Sequence, residues 1–163
     1  MQIPDETFEE IIEGQTKVLV PKKSITDKVP PKEPAFFNPK AKQWIAGRKN
    51  IFNLIASDIN PSDKIAWFHC ASLGEFEQGR PIIESLKKHH PNIKILLTFF
   101  SPSGYEVRKN YALADYVFYL PWDTTQNAKR FIQITKPSLA IFIKYEFWYN
   151  YTYQLKKKNI PII

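Results

Sequence analysis

A chain of 163 residues, 44% hydrophobic and 15% aromatic, is large and apolar enough for one sizeable core, which excludes an intrinsically disordered protein. Its 23 basic and 16 acidic side chains leave a net charge of +7, which favours an anionic partner such as nucleic acid, an acidic membrane face or a phosphorylated substrate. Cys70 is the one cysteine, so an internal disulfide is excluded and a reducing compartment expected; neither a signal peptide nor a membrane-spanning run is legible, and the chain reads as soluble or peripheral.

Six of the thirteen prolines fall within residues 1–39. A short acidic helix fits Asp5 to Glu13, and the proline- and lysine-rich stretch after Gly14 reads as an arm. The expected organisation is a weakly structured leader over 1–37 and one domain over 38–163. Asn38 as N-cap and Pro39 at the first helical position predict one helix over "PKAKQWIAGRKNIFNLIAS". Ala41, Trp44, Ile45, Phe52 and Ile55 share a face of that helix, and Lys40, Lys42, Arg48 and Lys49 make the other side basic. Such a helix is either solvated on its basic side or touches an anionic membrane or substrate there.

From Lys64 a rhythm sets in. "KIAWFHC" reads as a strand and "FEQGRPIIESLKKHH" as a helix with Pro81 near its first turn. "IKILLTFF" is a strand, "SPSGYEVRKNYAL" a short helix, "YVFYL" a strand and "DTTQNAKRFIQIT" a helix capped by Asp123 or Thr124. "SLAIFI" is a fourth strand, "YEFWYNYTYQLKKK" a helix, and "IPII" starts a fifth strand; the chain looks cut there or continued by another domain. Nearly continuous apolar strands alternating with helices imply a Rossmann-like α/β fold, a parallel sheet covered on both faces. Ligands bind such sheets at the carboxyl ends of the strands, here "ASLGEFEQG", "FFSPSGYE", "LPWDTT" and "IKYEFW".

The first of these segments is no dinucleotide fingerprint, Walker motif or nucleophile elbow. It leaves Glu75, which is either a helix-capping glutamate or a general base reaching out over a close turn at Gly74. His69 reads as a strand-end core histidine, Cys70 as a small buried residue, and His89 and His90 as a helix C-terminus. "SPSG" at 101–104 is an anion cradle or an ordinary turn and cap. Lys144 and Glu146 either face the ligand crevice or pair with each other. Tyr145, Phe147, Trp148, Tyr149, Tyr151 and Tyr153 are too many for one buried face, so some should line a groove or partner surface.

Taken together and in order, "WFHCASLGEFEQGRPIIESL", "LLTFFSPSGYE", "ADYVFYLPWD" and "KYEFWYN" resemble the N-terminal half of the 3-deoxy-D-manno-octulosonic acid (Kdo) transferases of lipopolysaccharide synthesis. "FNPKAKQWIAGRKNIF" is similar to the segment preceding that domain, so the resemblance runs from Phe37 to Ile163. It implies a GT-B glycosyltransferase whose N-terminal domain binds a lipid A precursor and whose C-terminal domain, beyond these residues, binds CMP-Kdo. The family's A-S-x-G-E motif falls on Ala71, Ser72, Leu73, Gly74 and Glu75, so the role of general base in an inverting transfer carries over to Glu75. The acceptor-binding residues are then expected to be Ser72, Gly74, Arg80, Ser101, Ser103, Gly104, Lys144 and Glu146. The resemblance implies neither metal nor cofactor, no nucleic acid, and a peripheral place on the cytoplasmic face of the bacterial inner membrane. Residues 1–36 depart from the family's apolar anchoring segment, and the chain alone is expected to be inactive. From another class, the alternative is a non-catalytic Rossmann-like binding module with a basic face for membrane or protein; RNA binding has charge and aromatics in its favour but no recognised motif.

Overall fold

The computed structural model describes residues 39–144 and 148–163. The expected leader with its acidic helix, the Asn38 cap, and Tyr145, Glu146 and Phe147 lie outside the described residues.

Two helices, α1 (Pro39–Ala46) and α2 (Ile51–Asp58), stand where the sequence predicts one. The break falls at Asn50, whose φ of 58° is left-handed, a conformation that asparagine tolerates better than most side chains. The predicted faces change with it. Ile45 is 46% exposed, whereas Arg48, expected on the basic outer side, is only 7% exposed. Ile51 and Ile55 carry α2 onto the core.

Strands β1 (Ile65–Cys70), β2 (Lys94–Phe99), β3 (Tyr116–Tyr119) and β4 (Leu139–Phe142) form a parallel sheet in the order β3-β2-β1-β4. The central β1 sets Phe68 beside Leu97 on one side and Ile141 on the other. "IPII" makes one parallel bridge to β4, Ile162 beside Ala140, with Ala140 N–H donating to the Pro161 carbonyl at 3.0 Å.

The crossovers carry α3 (Leu73–His89), α4 (Pro102–Arg108) and α5 (Thr125–Thr135), and α6 (Tyr149–Lys157) follows β4. Because α3 starts at Leu73, Pro81 sits inside the helix and not near its first turn. Helix α4 ends at Arg108, well short of the predicted Leu113. Thr124, the second of the two expected caps, accepts from Asn127 N–H at 3.3 Å.

All of β1 is buried, as a strand covered on both faces must be. Ile65 and Trp67 pack with Ile51, Ile55, Phe131, Tyr151 and Leu155 on the face covered by α2, α5 and α6. Ala66, Phe68 and Cys70 pack with Phe76 and Ile83 on the face covered by α3. Each large apolar side chain fully buried this way contributes about 1.5–3 kcal/mol. The strand order reverses between β1 and β4, so the crevice of an open parallel sheet opens at their carboxyl ends.

Candidate functional site

Ala71 and Ser72 leave the carboxyl end of β1, and α3 begins at once. Ser72 is the N-cap and Glu75 the third helical residue. Glu75 Oε2 accepts from Ser72 N–H at 2.8 Å, and the Ser72 side chain accepts from the Glu75 backbone N–H. This reciprocal capping box satisfies two donors that the helix would otherwise leave open. Glu75 is 9% exposed. Its Oε1 makes no hydrogen bond among the described residues.

Gly74 has no positive φ, so the close turn expected there is not what glycine provides. A Cβ at Gly74 would meet only Ser72 Oγ, at 4.0 Å. The first turn of α3 is therefore open space above Gly74. Gly79, five residues on, is the opposite case: a Cβ there would sit 2.8 Å from Ile143 Cγ1.

The loop after β2 is tied to this one, since Ser101 N–H donates to the Ala71 carbonyl at 2.8 Å. Ser101 Oγ and Ser103 Oγ lie 2.7 Å apart at the surface. Gly104 is buried with its backbone pressed on the Phe99 ring, which accounts for the glycine by packing. Arg80 is turned about 140° around α3 from Glu75. Its guanidinium pairs with Glu77 at 3.2 Å and Glu84 at 3.8 Å, so the fold does not bring it to Glu75. Lys144 is exposed just past β4, with a left-handed φ of 67°, and the adjacent Ile143 N–H donates to the His69 carbonyl at 3.0 Å. The neighbouring strand ends thus gather Ser72, Gly74, Glu75, Ser101 and Ser103, with Lys144 across the β1–β4 boundary.

Thr98 organises the polar interior. Its hydroxyl oxygen accepts from Trp67 Nε1–H at 2.8 Å and lies 2.9 Å from His69 Nδ1. His69 packs edge-on to Trp148, as a core histidine does. Burial, with the Glu75 carboxylate adding to it, pushes the Cys70 thiol up to about 12 from 9.0, so it stays protonated and unreactive. His89 Nδ1 lies 2.8 Å from the Ser85 carbonyl, inside the last turn of α3. Of the described aromatics near β4, Trp148 and Tyr151 are fully buried, while Tyr149 and Tyr153 stack on each other at the surface.

Arg48 is the residue that sequence reasoning placed on the wrong side. Its Nε donates to the Leu120 carbonyl at 2.8 Å, Nη1 to Trp44 at 2.9 Å and Nη2 to Phe100 at 2.7 Å. Cζ lies 4.6 Å from the Trp122 ring centroid and 4.9 Å from that of Phe100. Leu120 and Phe100 directly follow β3 and β2, so Arg48 and Trp44 roof the carboxyl ends of those strands. Burial lowers the guanidinium to about 10, still a cation at neutral pH. The available signal was the turn-forming "GRKN", which argues against continuing the helix.

Residues 46–163 match the family described as 3-deoxy-D-manno-octulosonic-acid transferase (kdotransferase). The chain belongs to the Kdo transferase family. It is 30% identical over 127 residues to the 3-deoxy-D-manno-octulosonic acid transferase of Haemophilus influenzae, covering 77% of this chain and 29% of that protein. It is 41% identical over 83 residues to the Aquifex aeolicus transferase, covering 50% and 23%. A probable mitochondrial 3-deoxy-D-manno-octulosonic acid transferase of Arabidopsis thaliana is 30% identical over 107 residues, covering 65% and 25%. The chain therefore spans less than a third of the length of these relatives. This Kdo transferase family segment contains the whole described sheet and the Glu75 loop. No helix among its described residues is long and apolar enough to cross a membrane.

Proposed function

We propose that this Kdo transferase family chain is the acceptor-binding half of a GT-B glycosyltransferase, which transfers Kdo from CMP-Kdo to a lipid A precursor with inversion. Glu75 is the general base in this reading. The observation that carries it is the split use of the carboxylate: Oε2 is held by Ser72 N–H, while Oε1 has no partner among the described residues, beside open space at Gly74. A base must be held in place and still present a lone pair to the proton it takes. The acceptor hydroxyl passes its proton to Oε1 as its oxygen attacks the anomeric carbon of Kdo, and CMP departs from the opposite face. Ser101, Ser103 and Lys144 are on the same side of the sheet to bind acceptor hydroxyls and phosphates. Arg80 and Gly104 are accounted for without the acceptor, by ion pairing and packing. A net charge of +7 suits a phosphorylated lipid at the cytoplasmic face of the inner membrane. The 163 residues alone are expected to transfer no Kdo, because the donor is bound by a domain outside them.

Glu75→Gln in the full-length enzyme tests the base. Glutamine at this position still closes a capping box, so the variant should melt near the native temperature. Its kcat should fall about 10²–10⁴-fold, or about 3–5 kcal/mol of barrier. Near-native turnover in the folded variant would reduce Glu75 to a capping residue.

A further inference from the structure

Arg48 is a buried cation, and no carboxylate pairs with it among the described residues. Buried charges are ordinarily paired, so where its carbonyl bonds lead decides what offsets it. The branch through Nε ends at Leu120, because the same peptide unit closes on Pro121, which has no N–H to pass the polarisation on. The branch through Nη1 turns back to the Trp44 carbonyl in the last turn of α1. The branch through Nη2 continues. It donates to the Phe100 carbonyl at 2.7 Å, and the other end of that peptide unit, Ser101 N–H, donates to the Ala71 carbonyl at 2.8 Å. The other end of the Ala71 unit, Ser72 N–H, donates to Glu75 Oε2 at 2.8 Å. In a trans peptide the C=O and N–H point opposite ways, so the bonds run head to tail through two rigid units. Trp44 Nε1–H donates to the same Phe100 oxygen at 3.0 Å and adds to its polarisation. The row that starts on a buried cation therefore ends on a carboxylate that is itself buried.

We propose that Arg48 is a positioning residue for Glu75 and acts on it through these two peptide units. Each donor in the row is polarised by the bond before it, so a cation at one end and an anion at the other strengthen every link between them. The row ties Oε2 and leaves Oε1 outside it, which is what a base needs: one oxygen fixed and the other open to a proton. The proposal rests on the reading of Glu75 as the base. In a merely structural role the guanidinium would only tie the ends of β2 and β3 together. Such a tie predicts lost stability, whereas the row predicts lost turnover that passes through Glu75.

The test is a double-mutant cycle in the full-length enzyme, with kcat and KM measured for Arg48→Lys, Glu75→Gln and both together. Lysine keeps the charge but loses the fork, so the carbonyls of Leu120, Trp44 and Phe100 can no longer all be held. Arg48→Lys should lower kcat about tenfold, the scale of one hydrogen bond to a charged group, and leave KM within about twofold. In the Glu75→Gln background the same change should cost less than about twofold, because the carboxylate it positions is gone. A loss of about tenfold in both backgrounds, or near-native kcat in folded Arg48→Lys, overturns the proposal and leaves Glu75 as the base. A second readout needs neither a change at Arg48 nor turnover. In amide NMR of the full-length protein, Glu75→Gln should move the Ser72 and Ser101 N–H signals together. Ile95 N–H, bonded to Asp115 near the amino end of β2, should stay still. Movement at Ser72 with none at Ser101 overturns the row, even where Arg48→Lys fails to fold. Near-native turnover in Glu75→Gln with both signals moved overturns the base and supports the row, so the two failures are told apart.

Discussion

At Cys70 burial and the neighbouring Glu75 carboxylate act in the same direction, and their sum makes the fold sensitive to alkali. The thiol titrates near 9.0 when unfolded and near 12 in the native chain. Between those values the unfolded state has lost a proton that the native state keeps, so stability falls as pH rises, by about 1.4 kcal/mol per pH unit. Below the lower value the contribution is fully present. Tyr119 and Tyr151 are also raised, but from 10.0, so they act later. Urea unfolding between about pH 9 and pH 10 should therefore lose stability in the wild type and lose much less in Cys70→Ala. Native Cys70 should also resist a thiol reagent until the chain is unfolded; rapid labelling of the folded protein would contradict the burial. The sequence showed Cys70 as a small buried residue, but its coupling to Glu75 depends on the first turn of α3 folding back over the end of β1.

Along α3, two glycines invite the same substitution with opposite outcomes. Alanine is worth about 1 kcal/mol more than glycine inside a helix. At Gly74 the added methyl enters open space, so Gly74→Ala should stabilise the chain by about 0.4–1 kcal/mol in denaturant unfolding. In the full-length enzyme the same methyl sits beside the proposed path of the acceptor, and it should raise KM or lower kcat while stability improves. At Gly79 the methyl meets Ile143 Cγ1 at 2.8 Å and Cδ1 at 2.9 Å. Gly79→Ala should cost about 1–3 kcal/mol through overpacking, despite its better helix propensity. Equal effects at the two positions would mean that helix propensity, and not the contact with Ile143, sets the result. Neither sign was legible beforehand, because a glycine in a helical pattern looks the same whether it faces solvent or a side chain far along the sequence such as Ile143.

For the molecule as a whole, β1 is the mechanical centre. It pairs on both sides, with β2 and β4, and both of its faces are buried. Hydrogen exchange should be slowest at the β1 and β2 amides and fastest in α1, whose described surface is largely exposed. Slow exchange in α1 with fast exchange in β1 would contradict this hierarchy. The same arrangement makes the carboxyl edge one continuous working surface. The roof of Trp44 and Arg48 stands over β2 and β3, and the Glu75 loop stands over β1. The carbonyl of Phe100 takes bonds from both roof residues, and the next residue, Ser101, bonds back to Ala71.

The amino-acid sequence by itself determined the parallel α/β class, the four strands, and the position of Glu75 at the start of a helix. Those features follow from apolar runs and cap residues close together in the chain, where side-chain period and backbone propensity act locally. Tertiary structure alone decided that Arg48 turns inward and that Gly79 is pressed against Ile143. The reason is distance along the chain. Arg48 is held by carbonyls 52 and 72 residues ahead of it. Its nearest neighbours in sequence, Gly47 and Lys49, carry no sign of those oxygens. A lone basic residue in an amphipathic pattern is read as solvated until the strand ends that accept its hydrogen bonds are brought beside it.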